Sequence, residues 1–300
     1  MDATLDELNA SHGIPGQLKF EAGAGGLPVA AIENEHATAS VCLLGGHVLS
    51  CQPRGGEPVV WLSKQSRFEA GSPIRGGIPV CWPWFAAHPE DATKPFHGFA
   101  RLSLWSVLDA EGVEEGATCV RLRMGDNAET RALWPHAFSL EIAVTVGREL
   151  HVELTTRNLD PESVTCAAAL HTYFHVGDIA QIAVHGLDGC RYREEAGGSG
   201  VQCGPVTFSG EVDRLYQNTE ATCTIEDPAL GRRIRIAKEG SRSTVVWNPW
   251  AEKARRMPDF GDDEYPGMVC VETANARNDA ITIAPHGAHT MKAVIATQPL

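Results

Sequence analysis

The sequence has 300 residues, 43% of them hydrophobic, and its 25 Lys and Arg against 38 Asp and Glu give a net charge of −13. A chain this acidic repels nucleic acid and anionic lipid at long range, so neither is expected as a partner and an anionic ligand would need local arginines. No segment approaches the ~18 continuous apolar residues of a membrane span, and the N-terminus has neither the basic nor the apolar region of a signal peptide, which predicts a cytoplasmic protein without a membrane partner.

The predicted elements are almost all strands. LDELNA, near the start, predicts a short helix, and apolar residues then alternate with polar ones in short segments rich in Val, Ile, Thr and aromatics. In chain order these segments are SVCLLGGHVLSCQP, VVWLS, LWSVLDA, TCVRLRM, FSLEIAVTVG, LHVELTTRNL, TCAAALHTYFHV, ATCTIED, RRIRIAK, STVVWNP, GMVCVETAN and AITIAP. A second helix is predicted in PWAEKARRM, with Asn248 as its N-cap and Pro249 at its first position. The fold class is therefore all-β, and we expect one domain, a large twisted sandwich, over residues 1–300.

The nine cysteines are scattered singly and form no C-x-x-C pair. This spacing resembles neither a disulfide framework nor a structural zinc site. We expect reduced thiols that are mostly buried.

Two arginines lie beside glycines in the first half of the chain. Arg75 precedes two glycines in SPIRGGIPVCWPWF, and Arg101 follows a glycine-aromatic turn in KPFHGFARLSLW. Glycines let the backbone or a ligand approach closely, and the planar guanidinium can grip phosphate with two parallel hydrogen bonds. Each arginine could equally bind a loop carbonyl. The RGG sequence has no P-loop pattern, so a nucleotide site is not indicated.

A histidine ends a run of small apolar residues in CAAALHTYFHVGD. On one strand over residues 167–176, one face is core, and the other carries small and polar groups that could meet a ligand: Ala167, Ala169, His171, Tyr173 and His175. A histidine held by a structural neighbour is the simpler alternative. A metal shared by the H-x-x-x-H pair is not expected, because the two side chains would be ~13 Å apart on a strand.

A carboxylate interrupts the otherwise apolar strand GMVCVETAN. Glu272 shares a face with Met268, Cys270 and Ala274. Buried carboxylates are rare unless they are paired or functional, although a half-exposed strand would let Glu272 face solvent. A histidine and a glutamate, each embedded in an apolar strand, are typical of an acid and a base on opposite sides of a small substrate.

Six motifs together are similar to those of a known family. IRGGIPVCWPWF, HGFAR, HTYFHVGD, VDRLY, VVWNPW and DFGDDEYPGMVCVETAN, in this order, resemble the hexose-6-phosphate mutarotase (glucose-6-phosphate 1-epimerase) family. This family is a branch of the galactose-mutarotase-like, aldose 1-epimerase superfamily. The resemblance implies a β-supersandwich with the active site in its concave face.

The resemblance also implies roles for individual residues. His171 would be the general acid and Glu272 the general base, and Arg75 and Arg101 would bind the substrate, including its phosphate. Asp213, in VDRLY, would contact the sugar.

The sequence departs from the family pattern in the HGFAR loop. His97 would belong to the substrate-binding residues, but the residue before it is often glutamine in the family and is Phe96 here. Substrate contacts near this loop are therefore expected to differ.

The implied reaction interconverts the α and β anomers of a hexose 6-phosphate, with glucose 6-phosphate favoured. A base removes the C1 hydroxyl proton while an acid protonates the ring oxygen, so the ring opens, C1 rotates and the ring recloses. No cofactor or metal is expected. The partner would be the sugar phosphate alone, and we expect a monomer.

Two other functions fit parts of the sequence. A glycoside hydrolase usually needs two carboxylates beside the bond, and only Glu272 lies in a convincing apolar strand. A sugar-phosphate-binding module without catalysis would use the arginines but would not require the His/Glu pair. Comparing the optical rotation of freshly dissolved sugar with and without the protein would separate these functions from a mutarotase.

Overall fold

The computed structural model describes residues 3–300, and strands dominate it. In chain order the strands are Leu18–Ala22 (β1), Pro28–Glu33 (β2), Ala37–Cys42 (β3), His47–Pro53 (β4), Val80–Cys81 (β5), Ser106–Gly112 (β6), Thr118–Gly125 (β7), Phe138–Val146 (β8), Leu150–Asn158 (β9), Val164–Cys166 (β10), Ala168–Leu170 (β11), Tyr173–His175 (β12), Ala183–His185 (β13), Arg191–Glu194 (β14), Ser199–Val201 (β15), Val212–Gln217 (β16), Cys223–Asp227 (β17), Arg232–Glu239 (β18), Ser243–Asn248 (β19), Met268–Asn275 (β20), Ile281–Ile283 (β21) and Ala288–Pro299 (β22). The all-β prediction is confirmed.

The helices are short. They are Leu5–His12 (α1), Ala128–Leu133 (α2) and Trp250–Ala254 (α3), with 3-10 turns at Ala24–Gly26, Ala100–Leu102, Glu114–Gly116, Tyr265–Gly267 and Arg277–Asp279. The predicted helix near the N-terminus is α1, which begins with a capping box between Thr4 and Glu7. No helix in this part of the chain is long and apolar enough to cross a membrane.

The predicted start of α3 is wrong by one residue. Pro249 occupies the N-cap rather than the first helical position, and Asn248 lies at the end of β19. The Asn248 amide donates to the backbone carbonyls of Tyr265 and Met268, 2.9 Å away in both cases, and its Oδ1 accepts from the Trp250 N–H. The Asn248 side chain therefore accepts a hydrogen bond at the start of α3 with its oxygen and binds the segment that leads into β20 with its amide group.

Two eight-stranded antiparallel sheets form most of the fold. Sheet A has the order β15-β14-β16-β19-β20-β11-β5, with β12 also paired to β20, and sheet B has the order β13-β17-β18-β22-β9-β8-β7-β6. The strands β1 to β4 form a smaller sheet, and β10 pairs with β21. The main hydrophobic cluster draws residues from all along the chain, from Leu8 to Ile295.

The two faces of sheet A have different surroundings. One face contributes Leu170, Phe174, Val246, Val269 and Val271 to the main core, where each is at most 1% exposed. The opposite face carries a second cluster, which includes Cys81, Ala169, Tyr173, Val245, Trp247, Met268, Cys270 and Ala274. Since successive side chains on a strand alternate between faces, Glu272 must share the second face.

The segment 167–176 is not the single strand that the sequence predicts. It forms β11 and β12, which are separated at His171 and Thr172. Both strands pair with β20 in one continuous register, because Leu170 lies opposite Thr273 and Tyr173 lies opposite Cys270. In that register His171 falls opposite Glu272.

The cysteines agree with the prediction of reduced, mostly buried thiols. All nine are free, and seven are buried; Cys190 is half-buried and Cys203 is exposed.

Candidate active site

The second face of sheet A brings His171 and Glu272 into contact. His171 Nδ1 lies 3.2 Å from Glu272 Oε1, and the two side chains are 10% and 1% exposed. The contact is poorly aligned for a hydrogen bond. His171 Nδ1 and Glu272 Oε2 are therefore both buried without a hydrogen-bond partner among residues 3–300. Buried polar atoms of this kind are costly unless a ligand satisfies them, so they mark a candidate site.

Burial shifts both pKa values of this pair toward the neutral forms. Desolvation lowers the pKa of His171 well below its usual value, and the positive charges of Arg101 and Arg75 add to the effect. Desolvation also raises the pKa of Glu272 well above its usual value, helped by the negative charge of Asp213. A neutral imidazole beside a protonated carboxyl is thus favoured over two separate charges. One proton moved from Glu272 to His171 creates an acid and a base together without changing the net charge.

Aromatic rings surround the imidazole of His171. The Tyr173 ring stacks on it with centroids 4.8 Å apart and planes 9° apart, and Trp247 meets it edge-on at 6.0 Å. The His97 ring also meets it edge-on, at 5.6 Å. These contacts fix the orientation of the imidazole plane.

His97 presents one defined ring nitrogen to the site. Its Nδ1 accepts a hydrogen bond from the Ala86 N–H at 3.0 Å, so Nε2 carries the proton of the neutral ring. Burial lowers the pKa of His97 well below its usual value, with further lowering by Arg101 and His171. His97 is therefore a neutral hydrogen-bond donor. Its neighbour Phe96 is exposed, and the two rings are in edge-on contact.

Arg75 is held in place by two partners. Its Nη1 donates to the Tyr173 hydroxyl at 2.9 Å, and Nε and Nη2 contact the two Asp259 carboxylate oxygens at 3.1–3.3 Å. Burial opposes the charge, but Tyr173 and Asp259 outweigh it and raise the pKa of Arg75. The two glycines after Arg75 do allow a close approach: a Cβ on Gly77 would lie 2.4 Å from both His47 Nε2 and the Val48 carbonyl oxygen.

Arg101 lacks such a partner. Its Nη2 donates to the Phe96 carbonyl at 2.9 Å, its Nε is buried without a hydrogen bond, and it forms no ion pair with any residue in 3–300. Burial lowers its pKa, and the nearby charge of Arg75 lowers it further. A half-buried guanidinium without a carboxylate would be stabilised by an anionic ligand.

Asp213 lies on the other side of the His171–Glu272 pair. The register across sheet A places Tyr173, Cys270, Trp247 and Asp213 in one row. Asp213 accepts a hydrogen bond from Lys253 Nζ at 3.1 Å and borders a cavity of about 300 Å³. Burial raises the pKa of Asp213 despite the ammonium group of Lys253. The site therefore has a basic side and an acidic side, with the pair between them.

The structure thus brings together all the predicted site residues and adds several that the sequence analysis missed. Asp259, which holds Arg75, and His47, whose Nε2 lies 2.8 Å from the Gly76 carbonyl, were not singled out. Tyr173 and Cys270 were placed on the site face but given no role; Tyr173 holds Arg75, and Cys270 lies beside Glu272. Asp259 could have been suspected from the acidic motif DFGDDEY. His47 lies in an apolar strand, where burial lowers its pKa to about 4.

Comparison with known proteins identifies the family of this site. The family model for aldose 1-epimerase matches residues 28–296. The chain belongs to the aldose 1-epimerase family. Membership supports a sugar mutarotase activity.

Individual relatives agree with this assignment. The chain is 35% identical over 275 residues to an Escherichia coli (strain K12) protein named "Putative glucose-6-phosphate 1-epimerase", covering 89% of this chain and 90% of the relative. The crystal structure of a "putative mutarotase" from Salmonella typhimurium matches with a TM-score of 0.89 and 31% identity, covering 97% and 96% of the two chains. A galactose mutarotase-like protein from Clostridium acetobutylicum, at 15% identity, shares the fold with a TM-score of 0.73 over 94% of this chain and 98% of its own. The expected galactose mutarotase-like fold is thereby confirmed.

Proposed function

We propose that this aldose 1-epimerase family member interconverts the α and β anomers of a hexose 6-phosphate, preferring glucose 6-phosphate, with His171 and Glu272 as acid and base. The observation that carries the proposal is the buried 3.2 Å contact between these two side chains, beside a guanidinium that has no carboxylate partner among residues 3–300. Ring opening needs an acid and a base that reach two neighbouring substrate oxygens, the ring oxygen and the C1 hydroxyl.

The proposed proton transfers use the unpaired Oε2 of Glu272 and the second ring nitrogen of His171, Nε2. Glu272 Oε2 accepts the proton of the C1 hydroxyl, while Nε2 of the protonated His171 donates to the ring oxygen. The C1–O bond to the ring breaks, and a carbonyl forms at C1. After rotation about C1–C2, the same transfers run backwards. The protein returns to its starting protonation state, so the cycle needs no cofactor.

The phosphate preference rests on the basic side of the site. Arg101 has donors that no residue among 3–300 satisfies, and Arg75 lies close enough for its charge to act on Arg101. A phosphate would balance both charges and accept hydrogen bonds from both guanidinium groups. The name of the E. coli relative, a "Putative glucose-6-phosphate 1-epimerase", supports the same substrate. His97 and Asp213 would bind sugar hydroxyls on the two sides of the pair.

Polarimetry tests the proposal directly. Freshly dissolved α-glucose 6-phosphate and α-glucose are followed with the protein and with buffer alone. We expect a much faster change of optical rotation for the phosphorylated sugar. Equal kcat/KM for both sugars would contradict the phosphate preference but not the mutarotase chemistry. No acceleration, with glucose 6-phosphate still bound in calorimetry, would instead indicate a binding module.

A further inference from the structure

A third potential metal ligand lies beside the catalytic pair. His171 Nδ1, Cys270 Sγ and a carboxylate oxygen of Glu272 all lie within 4.8 Å of one another, and the three residues are buried. Cys270 and Glu272 are two positions apart on β20 and so share its face, and His171 falls opposite Glu272. His175, the other histidine of the HTYFH segment, is not part of this group.

We propose that a thiophilic divalent cation of the Zn²⁺ type binds to His171, Cys270 and Glu272 and thereby inhibits the enzyme. The ion is not a cofactor, because it would occupy the two groups that move protons. Binding depends only on the three ligands. The inhibitory effect rests on the proposed function.

The distances suit a small ion. Ligand atoms bound to zinc at 2.0–2.3 Å in a tetrahedron are roughly 3.3–3.7 Å from one another. His171 Nδ1 and Glu272 Oε1 are already 3.2 Å apart, so only the longer separations, up to 4.8 Å, need to close by about 1 Å through side-chain rotation. A water from the substrate side would complete the tetrahedron.

Two buried atoms need a partner that a cation would supply. His171 Nδ1 and Glu272 Oε2 have no hydrogen bond within residues 3–300. Both are lone-pair donors in their deprotonated forms. The site therefore combines the Cys270 thiol with two buried atoms that lack a hydrogen bond and can each bind a metal ion.

The charge balance also favours a divalent ion. On binding, Cys270 and Glu272 each release a proton to solvent, and the resulting thiolate and carboxylate cancel the two charges of the metal. The complex is neutral, which avoids the cost of a net buried charge. The guanidinium groups of Arg75 and Arg101, which lower the pKa of His171, repel a cation, whereas the charge of Asp213 acts in the opposite sense. Sulfur and imidazole ligands select Zn²⁺ over Mg²⁺ or Ca²⁺.

Cobalt spectroscopy tests the binding independently of activity. Co²⁺ should give the wild type a near-ultraviolet thiolate-to-metal charge-transfer band, and zinc should displace it. The matched controls are Cys203→Ser, which removes the exposed cysteine, and Cys51→Ser, which places a hydroxyl in a buried strand elsewhere. Both should keep the band, and Cys270→Ser should lose it. If Cys270→Ser does not fold, Cys270→Ala replaces it, with circular dichroism as the check.

Inhibition of mutarotation by zinc is measured in parallel, and the rate of each variant is divided by its own rate without metal. Loss of an outer-shell partner costs ~10–100-fold in metal affinity, so loss of the Cys270 ligand should raise the half-inhibitory zinc concentration by at least ~100-fold. EDTA should reverse the inhibition. Absence of the band in the wild type, or its persistence in Cys270→Ser, would overturn the site. A band in a wild type without mutarotase activity would keep the site and contradict the proposed function.

Discussion

Replacing Arg101 by Gln should reduce the preference for phosphorylated sugar more than the same change at Arg75. Arg75 already has Asp259 and Tyr173 as partners, whereas Arg101 has only the Phe96 carbonyl among the described residues. A bound phosphate should therefore gain more binding free energy from Arg101, whose charge no carboxylate among the described residues compensates. The substitution keeps a polar side chain of similar reach but removes the charge.

The size of the effect follows from the bonds that are lost. A hydrogen bond to a charged group contributes about 1.5–3 kcal/mol, and 1.36 kcal/mol corresponds to a factor of ten. Losing one such bond should lower kcat/KM for glucose 6-phosphate about 10- to 150-fold, with little change for glucose. Arg75→Gln should give a smaller loss, because Asp259 already compensates much of the charge of Arg75 and because Arg101 would remain to bind the phosphate.

The assay compares both sugars by polarimetry at constant ionic strength. Arg54→Gln is the control, since it removes one positive charge from an exposed ion pair with Glu33. Its ratio of kcat/KM values for the two sugars should match that of the wild type. An Arg101→Gln enzyme that keeps the wild-type ratio would refute the reasoning, as would an equal fall for both sugars.

Four further outcomes can be checked. His171→Asn and Glu272→Gln should each lower the mutarotation rate by ~10²–10⁴-fold. The double variant should be little slower than either single one, because the two groups act in one proton exchange. A single variant with a rate near that of the wild type would contradict the roles of His171 and Glu272 as acid and base. Metal chelators should not reduce the rate, and a loss that one divalent ion restores would contradict the cofactor-free mechanism. Gly77→Ala should lower the thermal midpoint, because its Cβ would meet His47 Nε2 at 2.4 Å with φ at +67°; an unchanged midpoint would show that the loop relaxes freely. Burial raises the pKa of Cys51 from 9.0 to about 12, so its thiol stabilises the fold below pH 9 and this contribution falls between pH 9 and 12. In chemical denaturation, the difference in unfolding free energy between wild type and Cys51→Ala should therefore shrink by ~1.4 kcal/mol per pH unit in that range. A difference that stays constant would exclude the raised pKa.

The sequence predicted the local features of the site but not its long-range contacts. Alternation along β20 placed Glu272, Cys270 and Ala274 on one face, and the apolar run before His171 indicated a strand; both are confirmed, because a period of two is a property of consecutive residues. The break after Leu170 was missed. At the break the Thr172 N–H donates to the Leu170 carbonyl at 2.8 Å, and the His171 N–H donates to the Pro79 carbonyl of a distant segment at 3.0 Å.

The partners of the arginines are also long-range contacts that the sequence could not predict. Arg75 and Asp259 are 184 positions apart, and no local pattern joins them. The metal-type cluster combines His171, from the break between β11 and β12, with Cys270 and Glu272 from β20, so motif spacing along the chain could not reveal it. The predicted Asn248 cap was wrong by one residue: its Oδ1 accepts from the Trp250 N–H at 2.8 Å, but Pro249 is the N-cap, and the Asn248 amide group donates to carbonyls of a later segment.

The continuous pairing of β11 and β12 with β20 constrains the positions of His171 and Glu272 more tightly than those of the two arginines. His171 meets Glu272 only while both short strands keep their pairing with β20, so inserting or deleting one residue at His171–Thr172 would displace β12 or turn the imidazole to the core face. Arg75 and Arg101 lie outside these strands, in connecting segments whose side chains can change without shifting this register, provided that buried positions such as Gly77 are kept. Exchanging those segments is therefore the practical route to a variant with a new sugar preference, while the strands that carry the proton transfers are left untouched.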